Sequence, residues 1–344
     1  MKQHNTRYEK YDFADSPWVQ NLTQRDLAKL LGTTKDRLEK LISEREDYIS
    51  RRPQEIGGKM RNLAIPVRKL RGIHEKIKFH LNKIKQPPYL YSPRKGRGQR
   101  DNASQHISGL QVLKVDIRQF YPSTTQEDIF RWAYHTAGMK EDVAGLFAKI
   151  IAIDGKMPFG SPVSPVLTSL VHRPMFDRVY DFCESEKLGM SLWVDDLTIS
   201  GETVSGRVLD FVRECIRDGG FDTHKIEFQT TSRPVIITGV PIAENKVLAP
   251  YALHMRIKGE YLNLRSAKTD IERAEVIDRL LSALGTYKYH LGADTVEGRK
   301  TGNQMHALKQ RRRKLTINLT TLPSLTSISL PVQAPDPADP PWAA

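Results

Sequence analysis

Cysteine is scarce in this chain: only Cys183 and Cys215 occur in 344 residues, and neither lies in a Cys-x-x-Cys or Cys/His ligand spacing. This argues against a disulfide framework or a structural zinc site and indicates reduced core thiols. Long apolar runs are also missing, because no stretch reaches the about 18 residues of a transmembrane helix. Met1–Asn5 lacks the apolar core of a signal peptide, so we expect a cytoplasmic protein with no membrane partner.

Acidic residues are outnumbered. The chain has 53 Lys and Arg residues against 40 Asp and Glu residues, for a formal net charge of +13. An excess of this size favours nucleic acid or another anionic surface as the partner. The length is sufficient for two or three subdomains with cores of their own.

Two adjacent carboxylates, Asp195 and Asp196, lie between two short runs in which apolar residues alternate with other residues. This pattern predicts a strand, a tight turn and a returning strand. Carboxylates this close repel each other unless a cation lies between them, so the turn is a candidate site for Mg²⁺. An Asp-Asp turn present for its turn propensity alone is the alternative, and the pair by itself leaves both interpretations open.

A third carboxylate, Asp116, ends an apolar strand pattern and precedes the turn Phe120–Ser123. Alone it would be an ordinary cap or turn residue. Together with the Asp195–Asp196 pair, it supplies what a two-metal site needs. Such a site takes carboxylates from different strands and leaves positions open for a nucleoside triphosphate and a primer oxygen.

The order and spacing of four segments resemble a reverse transcriptase. Asp116 with Phe120–Ser123 matches the first acidic motif of the family, and Val194–Asp196 matches its aromatic-x-Asp-Asp box. Gly155–Leu167 resembles its Leu-Pro-Gln-Gly-x-x-x-Ser-Pro loop and the helix that follows. Gly58–Pro66 is similar to the fingers segment that ends in Arg-x-Ile-x-x-Pro.

Two further segments resemble retron reverse transcriptases in particular. Asn102–His106 matches their Asn-Ala-x-x-His signature, and Ile237–Gly239 is similar to their Val-Thr-Gly triplet. The resemblance implies an RNA-directed DNA polymerase that copies a cognate structured noncoding RNA into RNA-linked single-stranded DNA (msDNA). It also implies priming from a guanosine 2′-hydroxyl, deoxynucleoside triphosphates as substrates, an effector protein encoded nearby and a role in antiphage defence.

The resemblance assigns the chemistry to three carboxylates. Asp116 and Asp195, with Asp196 in support, are the predicted catalytic residues and the ligands of two Mg²⁺ ions. Tyr121 lies where related polymerases place a bulky side chain that excludes a ribose 2′-hydroxyl. A plain core aromatic is the alternative for this tyrosine.

Other predicted substrate contacts surround these carboxylates. Lys59 and Arg61 are candidates for the triphosphate, because cationic donors match phosphate oxygens. Gly160 belongs to the loop that resembles the substrate loop of the family. Lys225 is a candidate proton donor to pyrophosphate, although a second way of counting the register points nearer to Glu227.

The retron-like segments are predicted to contact nucleic acid through Asn102, His106, Ile237, Thr238 and Gly239. For the first two, a structural role remains an alternative, since a histidine is often a satisfied hydrogen-bonding group.

Three positions depart from the family pattern without removing a metal ligand. Trp193 stands where most relatives have Tyr, Phe159 replaces Gln, and Ile237 replaces Val. These changes bear on fidelity and on nucleotide affinity.

The expected architecture is α+β: a right-hand polymerase with fingers, a palm (a small antiparallel sheet flanked by helices) and a helical thumb. The predicted organisation is a helical element over residues 1–50, fingers and palm over 51–250, an RNA-binding thumb over 251–316 and a disordered tail over 317–344. Leucine spacing predicts two short helices within residues 20–45, either a packing element or a DNA-reading helix-turn-helix.

Two alternatives to the retron function remain open. One is another bacterial reverse transcriptase, group II intron-like or defence-associated, without branched priming. The other is a catalytically silent nucleic-acid-binding protein on a polymerase scaffold.

Overall fold

The structure is a computed structural model that describes residues 9–56, 58–243 and 245–320; the side chains of Ile56, Lys59 and residues 316–320 are not described. The chain divides into two compact units, residues 1–250 and 251–344. The division falls at the position predicted for the start of the thumb.

The first unit contains both helices and strands, so it is α+β. Its helices are α1 (Gln24–Leu30), α2 (Lys35–Ser43), α3 (Arg68–Leu81), α4 (Gln99–Ser104), α5 (Phe120–Ser123), α6 (Gln126–Arg131), α7 (Glu141–Ile151), α8 (Ser164–Val171), α9 (Arg173–Ser185) and α10 (Gly206–Asp218). Its strands are β1 (Ile49–Ile56), β2 (Lys59–Pro66), β3 (Leu90–Ser92), β4 (Gln111–Ile117), β5 (Gly189–Trp193), β6 (Asp196–Gly201), β7 (Thr223–Thr230), β8 (Val235–Ile237), β9 (Val240–Ala243) and β10 (Lys246–Val247).

A five-stranded sheet with the order β3-β5-β6-β4-β7 forms the centre of this unit. Every pairing is antiparallel except β3 with β5, which is parallel. The predicted antiparallel sheet is therefore a mixed sheet, because the short strand β3 joins its edge. Alternation along β4 buries Leu113, Val115 and Ile117 in one apolar cluster with residues of α9 and α10. Lys114 and Asp116 consequently lie on the opposite face.

Two smaller sheets accompany the central one. Strands β1 and β2 form an antiparallel hairpin in the segment predicted for the fingers. Strands β8, β9 and β10 form a three-stranded antiparallel sheet. Helix α4 packs against the second of these sheets, because Ala103 shares an apolar cluster with Val235, Ile237 and Val240.

Helices α1 and α2 form as the leucine spacing predicts. Thr23 caps α1 in a capping box with Asp26, and Thr34 caps α2. These caps satisfy backbone N–H groups that a helix start leaves unpaired. The leucine stripes of both helices are buried in the main apolar cluster with side chains of α3 and α7. The helices therefore serve as a packing element.

The sequence also predicts helices over residues 125–150 and 164–188, and the structure interrupts both. The first stretch divides into α6, a π-helical turn at Trp132–Thr136, and α7. The second divides into α8 and α9 at His172, where the backbone leaves helical geometry. Pro174 lies in the first turn of α9, and proline is tolerated there because its missing N–H is not needed.

The second unit is helical. It contains α11 (Tyr251–Ser266), α12 (Asp270–Leu291) and α13 (Val296–Thr320), and its core includes Ile277, Leu280, Leu284 and Leu308. Ile271, which the sequence pattern places on the buried face, is 59% exposed because it lies in the first turn of α12.

The last helix of this unit extends into the region that the sequence predicts as a disordered tail. Helix α13 continues to Thr320, past the predicted start of the tail at 317, and residues 321–344 lie outside the described part of the chain. Among the helices that the structure describes, none is both long enough and apolar enough to cross a bilayer.

Candidate active site

Strands β5 and β6 form the predicted hairpin with a two-residue loop, since Trp193 pairs with Asp196. Val194 opens this loop in the left-handed region, with φ of 62°. A β-branched residue adopts that region only at a cost, which is of order 1–3 kcal/mol. Its backbone N–H donates to the Ser92 carbonyl at 3.1 Å, which ties the hairpin tip to the edge strand β3.

The three predicted carboxylates meet at one end of the central sheet. Asp116 on β4 is the direct antiparallel partner of Asp196 on β6. The Ile117 N–H donates to the Asp195 carbonyl at 3.0 Å, so the loop is fixed to β4 as well. We call Asp116, Asp195 and Asp196 the carboxylate cluster.

Two carboxylates of this cluster have raised pKa values. Burial first, then Asp196 and Asp116, raise the pKa of Asp195 to about 6. Asp196 still reaches solvent, yet the loss of water around its carboxylate, followed by the charge of Asp116, raises its pKa as well. Like charges held together in this way favour binding of a cation or a proton.

The donor set fits a hard divalent cation, because all three side chains offer carboxylate oxygens from neighbouring strands. In the part of the chain that the structure describes, no group of three or more His, Cys, Asp or Glu side chains is already close enough to form a complete metal site. The carboxylates would therefore have to converge further upon a bound ion.

Two lysines lie near the cluster. Both Lys114 and Lys225 lower the pKa of Asp196 through their charge. Lys225 is exposed on β7, while Lys114 on β4 forms an ion pair with Glu227 at 2.5 Å and donates to the Ile236 carbonyl at 3.1 Å. The sequence left open whether Lys225 or Glu227 occupies the position of the family's lysine. In the structure Lys225 lies near Asp196, whereas Glu227 pairs with Lys114. Lys114 was missed, although its position two residues before Asp116 on the same strand face could have indicated it.

Arg61, Phe159 and Tyr121 pack together beside the cluster. The Arg61 guanidinium lies 4.8 Å from the centre of the Phe159 ring, and the Phe159 and Tyr121 rings meet edge to face at 5.3 Å. Burial and the charge of Asp195 raise the pKa of Tyr121 well above its ordinary value. The charge of Arg61 in turn acts on both Asp195 and Tyr121. Side chains from three of the segments that resemble reverse transcriptase motifs are therefore in contact.

The loop that carries Gly160 is held against β2. The Ala64 N–H donates to the Phe159 carbonyl at 3.1 Å, and Gly160 has φ of 99°. A Cβ at Gly160 would lie 2.7 Å from Ile65 Cγ1, so glycine is required both by conformation and by space. Lys59, the other predicted triphosphate contact on β2, has a side chain outside the described residues.

A buried histidine supports this loop from behind. His74 Nε2 lies 3.0 Å from the Ile150 carbonyl, so it donates there, and Nδ1 accepts from the Ser161 hydroxyl at 2.6 Å. Burial lowers the pKa of His74 to about 4, which keeps the ring neutral. The sequence contained no periodicity signal for this contact, because the partners are 87 residues apart.

His106, one of the residues predicted to contact nucleic acid, lies inside the protein. Its ring is fully buried, with Nδ1 2.7 Å from Ser200 Oγ and Nε2 2.7 Å from Ser191 Oγ. It thereby joins β5 and β6, and it has no surface left for an RNA contact. Gly109 permits this approach, since a Cβ there would lie 2.8 Å from Ser200 Cβ.

Asn102 is also buried, and its amide donates to Thr238 Oγ1 at 3.3 Å. The two retron-like segments are therefore in contact. Ile237 is buried in the cluster beneath α4, whereas Thr238 is half-buried and Gly239 is exposed. Of the five residues predicted to contact nucleic acid, only Thr238 and Gly239 have surface exposed to solvent.

The family model described as "Reverse transcriptase (RNA-dependent DNA polymerase)" matches residues 51–242, which is more than half of the chain. The chain therefore belongs to the reverse transcriptase family, whose members use divalent metal ions.

Its similar curated relatives are retron reverse transcriptases. The chain is 25% identical over 194 residues to the Retron Ec86 reverse transcriptase of Escherichia coli, covering 55% of this chain and 60% of that protein. It is 28% identical over 179 residues to the Retron Se72 reverse transcriptase of Salmonella heidelberg (strain 579083-10), covering 51% and 47%. It is 23% identical over 248 residues to the Retron Mx65 reverse transcriptase of Myxococcus xanthus, covering 64% and 58%. The chain thus spans about half of the length of the curated relatives it matches.

The burial of His106 predicts a specific dependence of stability on pH. Burial lowers its pKa to about 3, so the unfolded chain binds a proton that the folded chain does not as pH falls below the ordinary histidine value of about 6.5. Stability should therefore fall with pH in this range. His106→Gln should reduce the slope of unfolding free energy by up to about 1.4 kcal/mol per pH unit, measured by urea denaturation. His135→Gln, at an exposed histidine, is the control; a slope equal to that of the unaltered protein in both variants would contradict the prediction.

Proposed function

We propose that this protein is an RNA-directed DNA polymerase of retron type. The observation that carries the proposal is the meeting of Asp116, Asp195 and Asp196 at one end of the central sheet, within the segment that matches the reverse transcriptase family. Phosphoryl transfer requires little covalent chemistry from the protein and depends on positioning and charge stabilisation. A cluster of carboxylates that favours cation binding, with Arg61 nearby, suits this requirement.

Asp116 and Asp195, with Asp196 in support, are the residues that would hold two Mg²⁺ ions. When bound, such ions lower the pKa of a primer hydroxyl and neutralise charge on the transferring phosphate. The charges of Lys114 and Lys225 favour the ionised form of Asp196, which is the form that would bind a cation. Lys225 is exposed and is the proposed proton donor to the leaving pyrophosphate.

The ring cluster beside the carboxylates supports a role for Tyr121 in the choice of sugar. Tyr121 is held by Phe159, and the charge of Asp195 acts directly on its hydroxyl. A rigid ring beside the metal-binding end leaves little room for a 2′-hydroxyl. Arg61, placed over Phe159, presents its guanidinium toward the same region and is the proposed triphosphate contact. Lys59 and Gly160 are proposed to complete this contact.

A structured noncoding RNA is the proposed template and primer, with msDNA as the product. The net charge of +13 supports a polyanionic partner. Exposed cations on α13 (Lys309, Arg311, Arg313 and Lys314) support an RNA-binding role for the second unit as a thumb. Branched priming from a guanosine 2′-hydroxyl, an effector protein encoded nearby, a role in antiphage defence and a cytoplasmic location belong to the same proposal.

The first prediction concerns the carboxylate cluster. Replacing Asp195 and Asp196 together by Asn should lower the rate of DNA primer extension on an RNA template by roughly a thousandfold or more, because several kcal/mol of charge stabilisation are lost. Mg²⁺ should raise the melting temperature of the unaltered protein and not that of the double variant. Asp210→Asn, at an exposed carboxylate on α10, is the control. Near-normal extension by the double variant would remove these residues from catalysis.

The second prediction concerns sugar discrimination. Tyr121→Val should raise kcat/KM for a ribonucleotide relative to the matching deoxynucleotide by roughly tenfold, since the bulk that excludes the 2′-hydroxyl is removed. Phe159→Leu should change the ratio in the same direction but less, because it loosens the support of the Tyr121 ring. Tyr134→Val, at an exposed tyrosine, should leave the ratio unchanged. If Tyr121→Val also leaves it unchanged, Tyr121 is only a core residue.

The third prediction separates retron synthesis from a reverse transcriptase of another lineage. Protein expressed with its native flanking DNA should co-purify with a small structured RNA joined to single-stranded DNA. Digestion with ribonuclease, followed by an enzyme that cleaves 2′,5′ bonds, should shift the mobility of the product. Bound DNA that never carries RNA at any stage of synthesis would favour the other lineage, and no bound or extended DNA would favour a silent nucleic-acid-binding protein.

A further inference from the structure

We propose that a groove between helix α3 and the α1–α2 pair binds single-stranded nucleic acid. This groove, of about 770 Å³, lies within the first unit. We call it the cationic groove. Its floor includes Leu31, Leu41 and Ile73, and its sides carry Arg37, Lys69 and Lys76. The choice of RNA as the strand rests on the proposed function, whereas the choice of a single-stranded polyanion rests on the groove itself.

The charge of the groove is one-sided. Arg37, Lys69 and Lys76 form no ion pair with any carboxylate of the described residues, while Lys40 lies 3.6 Å from Glu44. The groove therefore keeps three uncompensated positive charges. Phosphate groups along a strand are the ligand that such a row of cations matches.

A second groove shows that this charge is sorted rather than spread evenly. Helix α2 also borders a groove of about 830 Å³ with α7, and that groove is lined by Glu39, Glu141 and Asp142 with Lys149. Arg37 and Lys40 thus face one side of α2, and Glu39 faces the other. The two grooves beside α2 therefore differ in charge, and of these two the cationic groove suits a polyanion.

Gly72 supports the same proposal independently of the charges of the groove. It lies in the middle of α3, where glycine is less favourable than alanine. The structure offers no packing reason for it, because a Cβ at Gly72 would meet nothing within 4 Å. Gly72 lies between Lys69 and Lys76 on the exposed face of the helix. A missing side chain at this place leaves room for a strand to approach the helix backbone closely.

The apolar floor of the groove favours binding of a single strand over binding of a duplex. Apolar side chains form it, and the half-buried Tyr48 adds an aromatic ring to its lining. Unpaired bases can pack on apolar and aromatic surfaces while their phosphates reach the cations, and base stacking on an aromatic ring stabilises such binding. A duplex keeps its bases stacked inside and offers only phosphates.

Lys76 closes one end of the groove. A methyl group at Gly32, in the α1–α2 turn, would lie 3.6 Å from Lys76 Nζ, so this ammonium extends from α3 across to the turn. Substituting Lys76 should therefore open the groove as well as remove a charge.

The test measures binding directly and does not need polymerisation, so it can fail independently of the proposed function. The probe is a fluorescein-labelled single-stranded RNA of about 12 nucleotides, long enough to span the groove. A blunt RNA–DNA duplex is added to occupy surfaces that bind paired strands. The triple variant Arg37→Gln, Lys69→Gln, Lys76→Gln should lower the affinity at least about tenfold and reduce the slope of log K against log salt by about 2.

Matched controls decide between the groove and bulk charge. Arg25→Gln, Lys140→Gln and Arg213→Gln remove three exposed cations elsewhere in the same unit and should leave the affinity within about twofold. An equal loss in both triple variants would overturn the proposal. Preferential binding of duplex RNA, or binding of a polyglutamate peptide that the groove triple variant abolishes, would overturn it in favour of a duplex or an acidic protein partner.

Gly72 has its own control. Gly72→Leu should lower the affinity for the single-stranded RNA several-fold, because its side chain occupies the groove. Gly145→Leu places the same side chain at a second helical glycine with open space around it, in the acidic groove, and should have no effect. The melting temperatures of both variants establish that they fold. Equal affinities of the two folded variants would contradict close approach at Gly72.

Discussion

The pairing of β4 with β6 sets Asp116 directly opposite Asp196 and brings Asp195 beside both. These charges repel, and burial together with this repulsion raises the pKa values of Asp195 and Asp196. Much of the surrounding structure opposes this repulsion. The hairpin tip is tied by backbone hydrogen bonds from Val194 to the edge strand and from Ile117 to the loop. A site held in this way favours cation binding, because a bound cation offsets the repulsion among the carboxylates that the sheet holds together.

The supporting contacts around the site rely on uncharged groups. His74, His106 and His172 are all buried with pKa values lowered by burial, and each bonds a hydroxyl that belongs to, or follows, one of the functional segments. His172 Nε2 lies 2.9 Å from Thr124 Oγ1, directly after α5. A neutral ring can hold such a position without adding charge beside the carboxylates. Positioning and electrostatics are thereby separated: histidines fix geometry, and Arg61, Lys114 and Lys225 supply charge.

Much of the fold was predictable where the signal is local. Alternation predicted the β5–β6 hairpin, and leucine spacing predicted α1 and α2. Predictions failed where distant segments decide. The parallel edge strand β3 has only three residues and is held by partners about one hundred positions away. The break at His172 and the π-helical turn at Trp132 arise from packing, which a helical period does not record.

The sequence by itself determined the class of chemistry, because residue types at motif spacing, Asp116 and the Asp195–Asp196 pair above all, are local properties of the chain. It also determined the basic character of the protein, which is a sum over residues. Only the tertiary structure decided which polar residues face outward. His106 and Asn102 belong to a signature that suggests recognition, yet the fold buries both. The contacts among Arg61, Phe159 and Tyr121 and the different charges of the two grooves beside α2 likewise exist only after folding, since burial and proximity depend on contacts between segments far apart in the chain.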